Sequence, residues 1–199
     1  MEAINTPEKD KQPTDALGFV FVGSSGSGKS TLRNEICRND IDGHSFVAHR
    51  PVTTRQRRHG EDEYTHVDVV QFENILSSPN VIFSNQSYGN RFLTLWPQKL
   101  EPSQHYIYIY LPEAARKLKD IFPNTKIIQI IPSDLSIIET RIKLRDPDIN
   151  PEELHLRLLS AETEITEGMQ IADLSYLNDK PLGESVTLLS GQIGKLLSQ

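Results

Sequence analysis

The segment between residues 23 and 30 constrains the fold of this chain more than any other. It reads Gly-Ser-Ser-Gly-Ser-Gly-Lys-Ser and fits the pattern G-x-x-x-x-G-K-[ST]. The apolar run Phe19–Val22 before it predicts a buried strand, and residues 31–36 after it predict a helix with Leu32 and Ile36 on one face. A glycine-rich turn between a strand and a helix N-terminus surrounds phosphate groups with backbone N–H donors.

The residue types in this phosphate loop predict how a nucleoside triphosphate and Mg²⁺ would bind. Lys29 would reach the β and γ oxygens, and the Ser30 hydroxyl would coordinate Mg²⁺. A Gly/Ser-rich turn that matches by chance is the alternative, but the flanking strand and helix argue against it. We therefore expect a nucleoside triphosphate and Mg²⁺ as ligands. The expected nucleotide-binding residues in this segment are Gly23, Ser24, Ser25, Gly26, Ser27, Gly28, Lys29, Ser30 and Thr31.

Length and composition predict one intracellular α/β domain. The chain has 199 residues, of which 37% are apolar, enough to bury a substantial core. Its single cysteine, Cys37, excludes an internal disulfide framework, and no C-x-x-C or H-E-x-x-H spacing indicates zinc. A net charge of −6 argues against a broad nucleic-acid surface. The polar residues 1–15 predict a flexible tail before a domain at 16–199, without the apolar segment of a signal peptide.

The longest unbroken apolar run, Tyr106–Leu111, is far too short for a membrane span. We therefore expect a cytoplasmic protein that binds a nucleoside triphosphate and a small phosphorylated acceptor, but neither nucleic acid nor a membrane.

Strand and helix signals alternate after the phosphate loop, which predicts a mostly parallel sheet flanked by helices. Asp68 and Gln71 form a capping-box pattern that opens a helix through about Leu76, and strands are expected at 107–111 and 127–131.

Three further helices are expected from their start signals and apolar periodicity. Ser133 would cap the first, and Asn150 with Pro151 would start the second. The third would begin at about Pro181. Their inward positions are Leu135, Ile138 and Ile142; Leu154, Leu158, Ala161 and Ile165; and Leu182, Val186, Leu189, Ile193 and Leu196.

A second informative segment, residues 50–61, holds four arginines within nine positions. Planar guanidinium groups match phosphate oxygens two at a time. We interpret Arg55 and Arg58 as a clamp for the phosphate of an acceptor, with Arg50 and Arg57 peripheral. The alternative is a solvated basic surface loop.

The run Thr53-Thr54-Arg55-x-x-Arg58-x-Gly60-Glu61 resembles the T-T-R-x-x-R-x-G-E signature of guanylate kinases. Later motifs keep the order of that family, so the resemblance spans about residues 17–197. They are Gly89-Asn90, the lid-entry pair Arg141 and Arg145, Arg157-Leu158, and Asn178-Asp179.

The resemblance implies a P-loop NTPase fold with a small acceptor-binding insert at about 50–96 and a lid at about 143–153. It implies ATP-dependent phosphoryl transfer, with GMP as the default acceptor. Arg141, Arg145 and Arg157 would act with Lys29 in catalysis, and Asn178 would lie beside the adenine. The implied acceptor-binding residues are Arg55, Arg58, Glu61 and Tyr64. Surface ion pairs remain the alternative for the lid arginines, with Glu153 as the partner of Arg157.

The chain departs from guanylate kinases in three places. The segment from Gly60 to Tyr64 is about three residues shorter than the family pattern G-E-x-x-G-x-D-Y, which leaves the assignment of Tyr64 open. The family's guanine-reading glutamate would fall near Phe83–Ser84. This segment offers Ser84, Asn85 and Gln86 as neutral hydrogen-bonding substitutes, but no acid. An acidic strand end is replaced by Ile109-Tyr110-Leu111, with Glu113 as the nearest carboxylate. These losses predict weak discrimination among purine monophosphates, or an acceptor without a base.

Two alternatives follow from these departures. Val47–Arg55 resembles the V-A-H-R-x-x-T-R stretch of ribose 1,5-bisphosphate phosphokinases, although the strand end at 108–112 differs from theirs. The second alternative is a nucleotide-binding or scaffold protein of kinase descent that has lost turnover. The missing strand-end acid favours it, whereas Lys29, Ser30 and the three lid arginines oppose it.

Overall fold

The computed structural model of this protein describes residues 18–57, 63–96, 100–101 and 103–198. The tail expected at 1–15 lies outside these residues. The described chain divides into two compact units, which we call the insert unit (within His49–Glu101) and the core unit (within Ala16–Ala48 and Pro102–Gln199).

The described residues form nine strands and six helices. In chain order they are β1 (Gly18–Val22), α1 (Lys29–Ile36), β2 (Ser45–Ala48), β3 (Val52–Thr53), β4 (Thr65–His66), α2 (Val69–Leu76), β5 (Val81–Ser87), β6 (Asn90–Leu95), β7 (Gln104–Ile109), α3 (Pro112–Ile121), β8 (Lys126–Pro132), α4 (Ser136–Arg145), α5 (Pro151–Ile171), β9 (Leu174–Asn178) and α6 (Leu182–Leu197).

The core unit is built on a five-stranded sheet in the order β2-β7-β1-β8-β9, and all its neighbouring strands run parallel. This confirms the predicted parallel sheet. Phe19 and Phe21 of β1 are fully buried in the same cluster as Leu32 of α1 and Ile193 of α6. Burying each such side chain contributes about 1.5–3 kcal/mol, which fixes α1 against the sheet.

The opposite face of the core sheet lies against α3 and α5. Here the fully buried Gln129 of β8 meets Gly168 of α5. A Cβ at residue 168 would lie only 1.8 Å from the Gln129 Oε1 atom. The glycine therefore allows α5 to approach the sheet closely.

The insert unit is a four-stranded sheet in the order β4-β3-β6-β5 with α2 on one face. β6 runs antiparallel to both of its neighbours, whereas β3 and β4 are parallel. Phe72 of α2 packs with Val52 and Leu93 in a small buried core. Because successive side chains of a strand alternate between faces, Thr53 and Phe92 belong to the opposite face of this sheet.

Several predicted helices are confirmed at their N-termini. Asp68 caps α2 through a bond of 2.7 Å from the Gln71 N–H, and the reciprocal bond completes a capping box. The side chain of Asn150 accepts a bond of 2.8 Å from Glu152 N–H, with Pro151 at the first position of α5. Pro181 directly precedes α6.

The predicted start of α4 is wrong. Ser133 does not cap this helix, which begins at Ser136, and Leu135 lies outside it with 39% of its surface exposed. The side chain of Asp134 instead accepts a bond of 2.8 Å from the Ser136 N–H. The hydrogen bonds from Ser136 lower the pKa of the Asp134 carboxyl. A carboxylate two residues before the helix organises the turn here.

The strand predicted at 107–111 begins and ends earlier, at Gln104 and Ile109. Leu111 is instead the N-cap of α3, whose first residue is Pro112, and the sequence patterns did not predict this helix. In the last helix, Leu182 was expected inward but is 45% exposed.

In the described residues, no helix is long and apolar enough to cross a membrane.

Candidate active site

The phosphate loop connects β1 to α1 and contains three glycines with positive φ. Gly23, at φ 139°, leaves β1, and a Cβ there would lie 2.3 Å from the backbone oxygen of Ile130. Gly28, at φ 97°, is the N-cap of α1, and a Cβ there would lie 2.4 Å from Asn178 Nδ2. Only glycine accommodates both the backbone conformation and these approaches.

We expect Gly23→Ala to lower the free energy of unfolding by roughly 2 kcal/mol or more, because it combines backbone strain with a clash against backbone. Gly191→Ala is the matched control. Gly191 lies within α6 with open space around its Cα, so alanine there should stabilise the protein by about 0.5–1 kcal/mol. Urea unfolding of both variants measures the two changes. Equal stability of Gly23→Ala and the parent would contradict the packing described for the loop.

Lys29 folds back over the phosphate loop. Its Nζ donates to the carbonyl oxygens of Gly23 at 2.8 Å and Ser24 at 2.7 Å, and to the hydroxyl of Ser27 at 3.3 Å. These acceptors hold the ammonium group against the loop. Phosphate oxygens are the same kind of acceptor, with more charge, so they can replace these bonds when a nucleotide binds.

Three arginines from α4 and α5 reach the same loop. Arg141 Nη1 donates to the Gly26 carbonyl at 3.1 Å, and Arg157 Nη1 donates to the Ser25 hydroxyl at 2.9 Å. Arg145 Nη2 approaches the same hydroxyl at 3.5 Å. The structure therefore brings together all three lid arginines and the loop. Their catalytic roles remain predictions.

Arg157 also makes the ion pair that was the alternative for it. Its Nε and Nη2 atoms donate to Glu153 Oε1 at 3.0 and 2.6 Å, one turn earlier on α5. The side chain is buried, with 6% of its surface exposed. The carboxylate orients a guanidinium that still has Nη1 directed at the loop, so the ion pair and the loop contact coexist.

Asn178 joins the end of β9 to the phosphate loop. Its Nδ2 donates to the Ser27 carbonyl at 2.9 Å, which braces the loop from the far edge of the sheet. The next residue, Asp179, has its carboxylate 3.7 Å from the Lys180 ammonium.

The strand end that carries an acid in guanylate kinases carries tyrosines here. Tyr110 directly follows β7, is buried, and stacks on Tyr108 at 5.8 Å between ring centroids. Burial raises the pKa of Tyr108 above its usual range, and the neighbouring Tyr106 adds to this. Glu113 pairs with Lys117 at 2.7 Å on the exposed face of α3. The strand end is therefore followed by a buried tyrosine, and the Glu113 carboxylate is engaged in an ion pair at the surface.

In the insert unit, Arg55 is buried and held by its backbone. Its N–H donates to the Thr53 hydroxyl at 3.1 Å, and its carbonyl accepts from His66 Nδ1 at 2.8 Å, so this nitrogen carries the proton. The guanidinium carbon lies 4.8 Å from the ring centroid of Tyr64, a cation–π contact that orients the fork.

The other arginines of the segment 50–61, and Glu61, lie either outside the described residues or at the surface. Arg58 and Glu61 lie outside the described residues, so their part in a clamp remains a prediction. Arg50 and Arg57 are exposed, as expected for peripheral residues.

The sequence patterns missed an aromatic face in the insert unit, which we define as Tyr64, His66 and Phe92. The ring of Tyr64 lies 5.7 Å from that of Phe92 and 6.1 Å from that of His66, between centroids. The two-residue spacing of Tyr64 and His66 is the signal that could have revealed it, because it places both side chains on one face of a strand.

Comparisons with known proteins agree with this architecture. Residues 18–94 match the family model described as 50S ribosome-binding GTPase. The guanylate kinase of Carboxydothermus hydrogenoformans is 29% identical over 168 residues, which cover 80% of this chain and 79% of that protein. The guanylate kinase of Ralstonia nicotianae is 28% identical over 183 residues, 89% of this chain and 80% of that protein.

A solved structure supports the same fold. The crystal structure of guanylate kinase from Anaplasma phagocytophilum matches 92% of this chain and 87% of its own, with a TM-score of 0.67 and 19% sequence identity. The parallel sheet and the loop between β1 and α1 define a P-loop nucleotide-binding protein. Within that class, the chain is similar in sequence and fold to guanylate kinases.

Proposed function

We propose that this chain transfers the γ-phosphoryl group of ATP to a small phosphorylated acceptor, with GMP as the default. The observation that carries the proposal is the convergence of four cationic side chains on one phosphate loop: Lys29, Arg141, Arg145 and Arg157. The two relatives described above, which match 80% and 89% of this chain, are guanylate kinases, which supports the same class of reaction.

The reaction requires little covalent chemistry from the protein. A phosphate oxygen of the acceptor attacks the γ-phosphorus, the bond from that phosphorus to the β,γ-bridging oxygen breaks, and ADP leaves. Negative charge is spread over the three equatorial oxygens of the moving group. Guanidinium groups fixed at the loop neutralise that charge without reorganisation, which is the main electrostatic contribution to such a step.

The loop residues fit a bound Mg²⁺. This ion keeps several waters and phosphate oxygens and takes only one or two protein ligands, and the Ser30 hydroxyl in the first turn of α1 would be one of them. Mg²⁺ would neutralise charge on the β- and γ-phosphates. The absence of a carboxylate at Tyr110 leaves this part of the site less acidic than in guanylate kinases.

Arg55 is the residue best suited to hold the acceptor phosphate. Its guanidinium is oriented by Tyr64, and its backbone is fixed on both sides by Thr53 and His66. Arg58, Glu61 and Tyr64 complete the proposed acceptor site. A fork positioned in this way binds a phosphate with two parallel hydrogen bonds.

A nucleotide-binding protein without turnover is the second candidate. The buried tyrosines 108 and 110 favour it, because a neutral phenol cannot replace a carboxylate near a metal. Ribose 1,5-bisphosphate is the alternative acceptor for a catalytic protein. It is favoured by the neutral residues where guanylate kinases read guanine.

An assay of ADP release with Mg-ATP tests these readings together. We expect acceptor-dependent ADP release with a purine monophosphate, and a GMP preference over AMP well below the roughly 10⁴-fold of a dedicated polar site. ADP release only in the presence of ribose 1,5-bisphosphate would show that the acceptor is a sugar phosphate and not GMP. ATP binding without ADP release from any acceptor would favour the second candidate.

A further inference from the structure

Asn85 of β5 has a buried polar atom that is left unsatisfied. In the described part of the chain, its Oδ1 is buried and has no hydrogen-bond partner. A buried carbonyl oxygen without a donor costs free energy, so native proteins retain few of them. A ligand that brings an N–H group to this atom would remove that cost.

The register of the insert sheet places Asn85 on the side of the aromatic face. Asn85 pairs with Phe92 across β5 and β6, and Phe92 pairs with Thr53 across β6 and β3. Side chains directly opposite one another lie on the same face of a sheet. Asn85 is therefore a neighbour of the aromatic face, whose member Tyr64 also contacts Arg55.

The two residues beside Asn85 belong to the other face. Ser84 pairs with Leu93, which packs into the core beneath α2, and Gln86 has the same parity as Ser84. Both are exposed. Of the three neutral residues at the place of the guanine-reading acid, only Asn85 faces Phe92.

The aromatic face suits a planar base. Tyr64, His66 and Phe92 are each only partly buried. Aromatic rings stack on nucleic-acid bases with little regard for base identity. A sugar phosphate without a base would leave these ring surfaces unused.

We propose that Asn85 reads the base of the acceptor and admits both 6-oxo and 6-amino purine monophosphates. This inference rests on the proposed function and specifies its acceptor. An asparagine amide offers an acceptor and donors side by side, whereas an ionised carboxylate only accepts. Guanine presents O6 beside N1–H, and adenine presents its 6-amino group beside N1, so the amide pairs with either. A carboxylate matches only the two adjacent donors of guanine, N1–H and the 2-amino group.

The isosteric variant Asn85→Asp tests this directly, through equilibrium binding of GMP and AMP and through kcat/KM with ATP. We expect the ratio of GMP to AMP affinity to rise roughly 10-fold to 100-fold, the discrimination of one bidentate pair, largely through lost AMP binding. Gln86→Glu is the matched control. It makes the same chemical change one residue along on the opposite face and should leave the ratio unchanged.

A second variant, Asn85→Leu, removes the hydrogen bonds at similar size and should weaken GMP and AMP alike. An unchanged GMP to AMP ratio in Asn85→Asp, together with unaltered affinities in Asn85→Leu, would overturn the role of Asn85. Binding of ribose 1,5-bisphosphate in preference to both purines would overturn it too. Binding is measured apart from turnover, so the two proposals can fail separately. If the parent protein releases ADP but Asn85→Asp has the parent's ratio of GMP to AMP affinity, this inference is rejected and the proposed function stands.

Discussion

Lys29→Ala is expected to abolish phosphoryl transfer while the protein stays folded. The ammonium group is held against the phosphate loop by the carbonyls of Gly23 and Ser24. The β- and γ-phosphates are expected beside it. Removing a fixed positive charge from the transferring group costs on the order of 10³-fold in rate for phosphoryl transfer. Calorimetric titration with Mg-ATP should also show weaker binding.

Lys117→Ala provides the control for Lys29→Ala. Lys117 lies on the exposed face of α3, where its ammonium pairs with Glu113 at 2.7 Å. Its loss should change neither ATP affinity nor rate, since exposed pairs contribute little. Equal ATP affinity in Lys29→Ala and the parent would show that the loop does not bind the triphosphate as proposed.

Arg55→Ala is expected to lower kcat/KM for the acceptor by roughly 10²-fold, because a truncated bidentate pair to a phosphate loses about 1.5–3 kcal/mol. The loss should fall on the acceptor KM and leave the affinity for ATP nearly unchanged. Arg55→Lys should recover only part of the loss, since an ammonium group lacks the planar fork that stacks on Tyr64.

Arg116→Ala is the matched control for Arg55→Ala, because Arg116 is an exposed arginine of α3. Steady-state kinetics with each substrate varied in turn separates the two sites. Normal acceptor kinetics in Arg55→Ala, or a defect confined to ATP, would contradict a clamp at this position.

Local patterns in the sequence predicted the part of the fold that surrounds the phosphate loop. The run Phe19–Val22, the glycine loop and the apolar spacing of α1 each have a strong signal, and all three form as expected. The capping box at Asp68 is equally local. Where a single short-range interaction fixes an element, the sequence reveals it.

Elements that depend on tertiary contacts were not predicted. β3 and β4 have only two residues each; they pair with each other, and β3 also pairs with β6. α3 has no polar N-cap, since Leu111 occupies that position before Pro112. The start of α4 was misplaced because Ser133 is a favoured N-cap residue type, whereas in the folded turn Asp134 accepts the Ser136 N–H and Leu135 occupies the N-cap position.

In the candidate site, too, local motifs identified some residues, whereas others became evident only from the strand pairing. Lys29, Arg141, Arg145, Arg157 and Asn178 were named from motifs, and the structure places each against the phosphate loop. Asn85 was only one of three neutral residues until the strand register separated it from Ser84 and Gln86. Sequence spacing alone cannot assign a strand side chain to a face when the register is unknown.

The most direct measurement follows the γ-phosphate itself. ATP labelled in that group is incubated with Mg²⁺, the protein and either GMP, AMP or ribose 1,5-bisphosphate, and the products are separated. The proposed function predicts that the label appears in the phosphorylated acceptor, at a rate that Lys29→Ala abolishes and Lys117→Ala preserves. Label that remains in ATP, or appears only as inorganic phosphate with every acceptor, would contradict it.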